Sequence, residues 1–133
     1  AAAFTFANTT LNNSALILKA TGASITSPTN FIRVRYEQGS TRVRVAITTN
    51  GGSTYATGGD INGITFASGD TMTAMVDSTG MVYVWKTSGA TTTLLGNVQL
   101  PNNALWTTGS GRIGIKLQST GARVDNFGGG TVP

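Results

Sequence analysis

Apolar and polar residues alternate along most of this chain, and a period of two marks β-strands with one buried and one solvated face. Phe4 and Phe6 flank Thr5 in the first such stretch. Ile32, Val34 and Tyr36 point one way while Arg33, Arg35 and Glu37 point the other. After Gln38-Gly39-Ser40 the chain returns with Val43, Val45 and Ile47 against Arg42 and Arg44. Two alternating runs of matched phase around turn residues predict a hairpin. Residues 15–19 open on four consecutive apolar residues, Ala15 to Leu18, before Lys19, the pattern of a central strand covered on both faces. Further strands are predicted over 64–66, 71–76, 81–86, 91–100, 112–117 and 122–127. The intervening turn signals are Asn50-Gly51-Gly52, Gly58-Gly59-Asp60, Asp77-Ser78-Thr79-Gly80 and Pro101-Asn102-Asn103. Residues 22–30, rich in Thr and Ser and holding Pro28, read as a loop. About ten short strands at this spacing indicate a sandwich or barrel, and no run carries the three-and-four spacing of a helix. The expectation is an all-β, antiparallel, single domain over 1–133 with essentially no helix.

Composition sharpens this picture. Charged residues make up only 11% of the 133 positions, against roughly 25% in ordinary soluble proteins. Thr, Ser, Asn and Gly fill the gap, and Thr suits strands because its branched Cβ packs well on a pleated surface. A surface kept soluble by hydroxyl and amide groups points to an extracellular or cell-surface location. The chain has no Cys and no His, so it lacks thiolate chemistry, the commonest general base and the commonest transition-metal ligand. No apolar run reaches the ~20 residues of a membrane span. The net charge of +4 raises nucleic acid as a partner. However, the nine basic residues are spread out, without the interleaved aromatics that stack bases, so no nucleic-acid partner is expected.

Three segments carry a family resemblance: SALILKATGAS; FIRVRYEQGSTRVRVAITTNGG with ITFASGDTMTAMVDSTGMVYVWKTSGATTTLLG; and GRIGIKLQSTGARVDNFGGGTVP. Together they resemble the laminin-G-like, concanavalin-A-like jelly-roll modules of bacterial surface proteins and glycoside hydrolases. The closing segment and the block from Asp70 to Trp85 are the most diagnostic. The resemblance implies a two-sheet antiparallel β-sandwich that in the family is usually a non-catalytic glycan-binding or adhesion module. Such modules usually open with additional strands beside the terminal one, and nothing of that kind precedes Phe4. Residues 1–8 are therefore expected as a possible pairing or donor strand, residues 128–133 as a flexible exit, and an open sheet edge as a template for another copy.

Candidate ligand-binding residues follow from side-chain chemistry. Arg33, Arg35, Arg42 and Arg44 share the polar face of the hairpin, where guanidinium forks suit the carboxylate or sulfate groups of an acidic polysaccharide. The competing reading is a solvated strand face that discourages edge aggregation. Tyr83 and Trp85 sit two apart, as a sugar platform would, although aromatics at this spacing more often face the core, which is expected of at least one of them. Tyr55 and Trp106 lie at loop edges and are expected to be exposed. Asp70 and Asp77 read as turn formers. Asp125 is a weak calcium candidate, since calcium needs six to eight oxygens; otherwise no metal or cofactor is expected. Five carboxylates without His or Cys do not advertise a catalytic pair. The leading expectation is a non-catalytic, extracellular carbohydrate-binding module. The alternative is a structural, adhesive or filament-forming subunit completed by a neighbour's strand.

Overall fold

A computed structural model describes residues 1–101 and 110–131. The fold is an all-β sandwich. Its strands are β1 (Ala2–Phe6), β2 (Ser14–Thr21), β3 (Asn30–Glu37), β4 (Arg42–Thr48), β5 (Ala56–Asn62), β6 (Thr71–Val76), β7 (Met81–Ser88), β8 (Thr91–Gln99), β9 (Arg112–Leu117) and β10 (Val124–Gly129). They form two five-stranded sheets, in the orders β10-β1-β6-β7-β8 and β5-β4-β3-β2-β9. Every pairing is antiparallel. Among the described residues the only helical turn is the 3₁₀ turn Gln38–Ser40, closed by Thr41 in the left-handed region at φ 46°. No described helix is long and apolar enough to cross a membrane.

The core lies between the sheets, where the alternation predicted it. Phe4, Phe6, Met72, Ala74, Val82 and Val84 face inward from the first sheet; Leu16, Leu18, Ile32, Val34, Tyr36, Val43 and Val45 meet them from the second. Aromatic rings anchor one end. Phe6 lies 5.1 Å from both Phe4 and Phe66, and Tyr36 lies 5.0 Å from Phe66, in the edge-on or tilted geometries favoured by the ring quadrupole. The Phe66 amide donates to the Tyr36 hydroxyl at 3.3 Å, which satisfies the one polar atom of that buried ring.

Several local expectations are corrected. Gly58-Gly59-Asp60 is not a turn but the middle of β5. The glycines are required by close approach: a Cβ on Gly58 would stand 2.8 Å from Leu100 Cδ2 and 3.2 Å from the Val45 carbonyl oxygen. Residues 64–66 are not a strand; Phe66 reaches the core from a loop. Gly128 and Gly129, expected in a flexible exit, belong to β10 and pair with Ala3 and Ala2. Residues 1–8 supply β1, which pairs with β6 on one side and β10 on the other, all within the same chain.

The two outer faces differ sharply in chemistry. On the first sheet, Thr5, Thr71, Thr87 and Thr92 stand in register across four strands. Hydroxyl–hydroxyl bonds of 2.8 Å join Thr5 to Thr71 and Thr87 to Thr92. On the second sheet, the outward positions of β3, β4, β5 and β9 carry Arg33, Arg35, Glu37, Arg42, Arg44, Asp60 and Lys116, brought together by register.

Candidate functional site on the outer face of the second sheet

The hairpin alternation sends Arg33 and Arg35 outward on β3 and Arg42 and Arg44 outward on β4, as the sequence predicts. The face is not uniformly wet, however. Glu37 is buried at one end, where Arg35 and Arg42 both donate to its carboxylate, the latter at 2.6 Å. Arg44 donates to both oxygens of Asp60, at 2.9 and 3.2 Å, the fork-to-carboxylate geometry that gives the strongest pairs. Arg42 also lies 3.5 Å from Asp60. Burial alone would raise the Glu37 pKa, but hydrogen bonds from Arg35 and Arg42 outweigh it and hold the carboxyl below its ordinary value. The Arg44 hydrogen bond does the same for Asp60, and Asp60 in turn raises Arg44. Three of the four candidate arginines are thus occupied by two carboxylates of the protein itself.

Arg33 is different. It is 6% exposed, its Nε has no hydrogen-bond partner, and its guanidinium carbon sits 3.7 Å from the centroid of the Tyr55 ring. Burial and the neighbouring Arg35 charge both lower its pKa, while Tyr55 works in the opposite direction. Tyr55 is half-buried on the same face, 6.0 Å and edge-on from Phe31, and its hydroxyl accepts a 3.4 Å bond from Lys116 Nζ. The ring expected to be exposed at a loop edge is therefore held down by two cations and an aromatic edge.

Beside this cluster runs a groove of about 550 Å³ between the loop residues Ile25–Pro28 and strand β9. Ile17, Ala20 and Phe31 line it, together with Arg112 and Lys116. Arg112 shapes it by donating to the Gly22 and Ser24 carbonyls at 3.2 and 3.1 Å, which fastens the loop to β9. Sequence reasoning did not find this groove: β9 lies some ninety residues from the loop it faces, and the signal was only an Arg and a Lys at same-face spacing.

The remaining candidates lie elsewhere. Tyr83 and Trp85 are on the opposite side of the molecule, and neither is in the core. Val82 and Val84 fill the core instead, leaving the two rings half-buried on the outer face of the first sheet, 5.9 Å apart and 24° from parallel. Thr73 and Leu94 flank Trp85 in register, Met75 and Asn97 flank Tyr83, and the Tyr83 hydroxyl donates to Asp77 at 3.3 Å. Trp106 lies outside the described residues. Asp125 is exposed and accepts the amide of its neighbour Asn126 at 2.8 Å. Among the described residues no three of His, Cys, Asp and Glu gather as metal ligands would.

Asp77 and Asp70 form turns as expected. One Asp77 oxygen accepts the Thr79 hydroxyl at 2.6 Å and the Thr79 and Met81 amides at 2.8 and 3.1 Å, and the Thr79 hydroxyl contributes most to lowering its pKa. Asp70 accepts the Ala67 amide at 2.7 Å and pairs with Lys86 at 3.2 Å.

No family model, no curated protein and no solved structure matches this chain.

Proposed function

We propose that this protein is a non-catalytic, extracellular carbohydrate-binding module of concanavalin-A-like type, with its glycan site on the outer face of the second sheet. The observation that supports it best is the cluster around Tyr55: a part-exposed ring fixed by Arg33 and Phe31 at the margin of a groove with an apolar floor. Sugar rings present apolar C–H faces and polar edges, and an immobilised aromatic beside hydrogen-bond donors meets both at low entropic cost. The chemistry is that of binding rather than turnover. Glu37 and Asp60 are held ionised by arginines, whereas a glycosidase needs one carboxyl kept protonated. Retention of the protein on a glycan array and on insoluble polysaccharides tests the reading. Tyr55→Ala is expected to weaken binding at least tenfold, while Tyr83→Ala with Trp85→Ala on the opposite face leaves it unchanged. Loss of binding only in the second variant would move the site to the Thr-lined face, and no retention at all would end the reading.

One observation favours a second role as a self-assembling subunit. Strands β9 and β10 end their sheets on the same side of the sandwich, and among the described residues no further strand pairs with either. Ile115, opposite core residue Leu16, is 41% exposed, and Phe127, at a bulge opposite Phe4, is 42% exposed. Inward-facing side chains left this bare suit a strand added by another copy. Light scattering and electron microscopy decide the matter: a strict monomer at high concentration removes this role.

A further inference from the structure

The outer face of the second sheet does not carry its charge evenly. Glu37 and Asp60 lie at the β4–β5 side and are shared among Arg35, Arg42 and Arg44. Towards β9 the cations are Arg33, Lys116 and Arg112, and among the described residues no carboxylate forms an ion pair with any of them. The face is therefore nearly balanced at one side and positive at the other. The positive side is where the groove lies.

Burial makes the imbalance informative. A charged group withdrawn from water costs several kcal/mol unless it is paired and hydrogen-bonded. Arg33 is more than nine-tenths buried and has an unbonded Nε; beyond the Tyr55 ring, what favours its charge is the Glu37 carboxylate, with which it forms no ion pair. Attraction to a ring quadrupole offsets only part of that cost. The site thus lacks a negative charge on this side of the face.

The groove defines what could bring that charge. Ile17, Ala20 and Phe31 form an apolar floor, and Arg112 and Lys116 stand four residues apart on one strand, about 13 Å by strand rise. That distance exceeds a single pyranose ring, so a ligand engaging both cations is an oligomer or polymer. It needs an apolar face for the floor and repeated anionic groups for the cations. Nucleic acid fits less well: single strands are held by stacking successive bases on several exposed rings, and this side of the face offers one part-exposed ring, Tyr55, beside a buried Phe31.

We propose that the groove between the 22–28 loop and β9 takes the carboxylate- or sulfate-bearing units of an anionic polysaccharide, held by Lys116 and Arg112, with the buried Arg33 adding to the positive field beside them, rather than by Arg42 and Arg44. The proposal rests on the glycan-binding reading and names the ligand class for that site. Arg42 and Arg44 instead form the internal pairs that keep the adjoining part of the face closed to anions.

Calorimetric titration with four polymers tests it: polygalacturonate, dextran sulfate, unmodified dextran and single-stranded DNA. The wild type is expected to bind polygalacturonate or dextran sulfate and neither of the others, and the preferred one identifies carboxylate or sulfate. Lys116→Gln is expected to reduce that affinity about tenfold, the effect of one charge-assisted hydrogen bond. Lys116→Arg restores it, and Arg42→Gln changes it less than about twofold. Binding weakens as salt rises. Lys116 makes a single long contact with Tyr55, so folding of its variants is checked by thermal melt, and the Arg variant keeps the test decisive if Gln perturbs the fold. Dextran binding that is weakened by Tyr55→Ala but not by Lys116→Gln would overturn the anionic assignment and leave the glycan reading standing. DNA binding of equal strength, or a loss confined to Arg42→Gln, would overturn the proposal. No binding to any polysaccharide would remove both readings.

Discussion

Replacing Glu37 by Gln probes the charge arrangement that organises the candidate site. The Glu37 side chain is 10% exposed and its carboxylate faces Arg35, Arg42 and, at 3.9 Å, Arg44. Removing one partner of a fully buried ion pair costs about 3–5 kcal/mol. Two features reduce that figure here. The Arg35 and Arg42 side chains remain 17% and 26% exposed, and the amide oxygen of Gln still accepts one hydrogen bond. A loss of about 2 kcal/mol is expected, or about 6–10 °C in Tm for a domain of this size. The penalty depends on pH in a definite direction. Because the Glu37 pKa is lowered in the folded protein, the charge stabilises fully above its unfolded value of about 4.3 and is lost as pH falls through the folded value. The gap between wild type and Glu37→Gln is therefore widest near neutrality and closes below about pH 4. Urea unfolding followed by intrinsic fluorescence from pH 7 to pH 3 measures both quantities. A gap that stays constant with pH, or one smaller than about 0.5 kcal/mol at pH 7, would refute the argument that this carboxylate holds the arginine face together.

Three further outcomes can be checked in the same unfolding assay. Phe6→Ala removes the ring that touches Phe4, Tyr36 and Phe66, and a cost of about 3–5 kcal/mol is expected, as for other large core truncations; a loss under about 1 kcal/mol would show that the core end collapses readily around the gap. Gly58→Val forces a branched side chain against Leu100 and the Val45 carbonyl, and about 1–3 kcal/mol of overpacking is expected, with β5 amides exchanging faster than those of β3. Asp77→Ala removes one acceptor of three bonds in the β6–β7 turn. A destabilisation of about 1 kcal/mol is expected, and because hydrogen bonds to the ionised form lower the Asp77 pKa, the variant shows a smaller drop in stability between neutral pH and pH 3 than the wild type.

Neighbouring residues were enough to reveal the β3–β4 hairpin, because alternation and turn chemistry are local: Ile32, Val34 and Tyr36 face Val45 and Val43 across matched strands, as the phase of the pattern requires. The same reasoning identified the Asp77 turn and the buried run of 15–18, though Lys19, included in that run, is only half-buried. It failed at Gly58-Gly59, where a glycine pair reads locally as a turn but is present because Val98 and Leu100 pack against β5 from the other sheet. It also failed at Tyr83 and Trp85. Alternation shows that these rings oppose Val82 and Val84, but not which pair faces inward; the space between the sheets takes the smaller valines.

For the site, the chain alone determined which side of each strand carries charge, since side-chain direction follows residue parity. Which charges cancel was decided by tertiary packing. Glu37 and Asp60 reach Arg42 and Arg44 through the β3–β4–β5 register, while Tyr55, Lys116 and the 22–28 loop converge on Arg33 and the groove only when β9 pairs with β2. Pairing energies fall off within a few ångströms, and sequence distance does not report spatial distance once a sheet has brought together strands nearly a hundred residues apart.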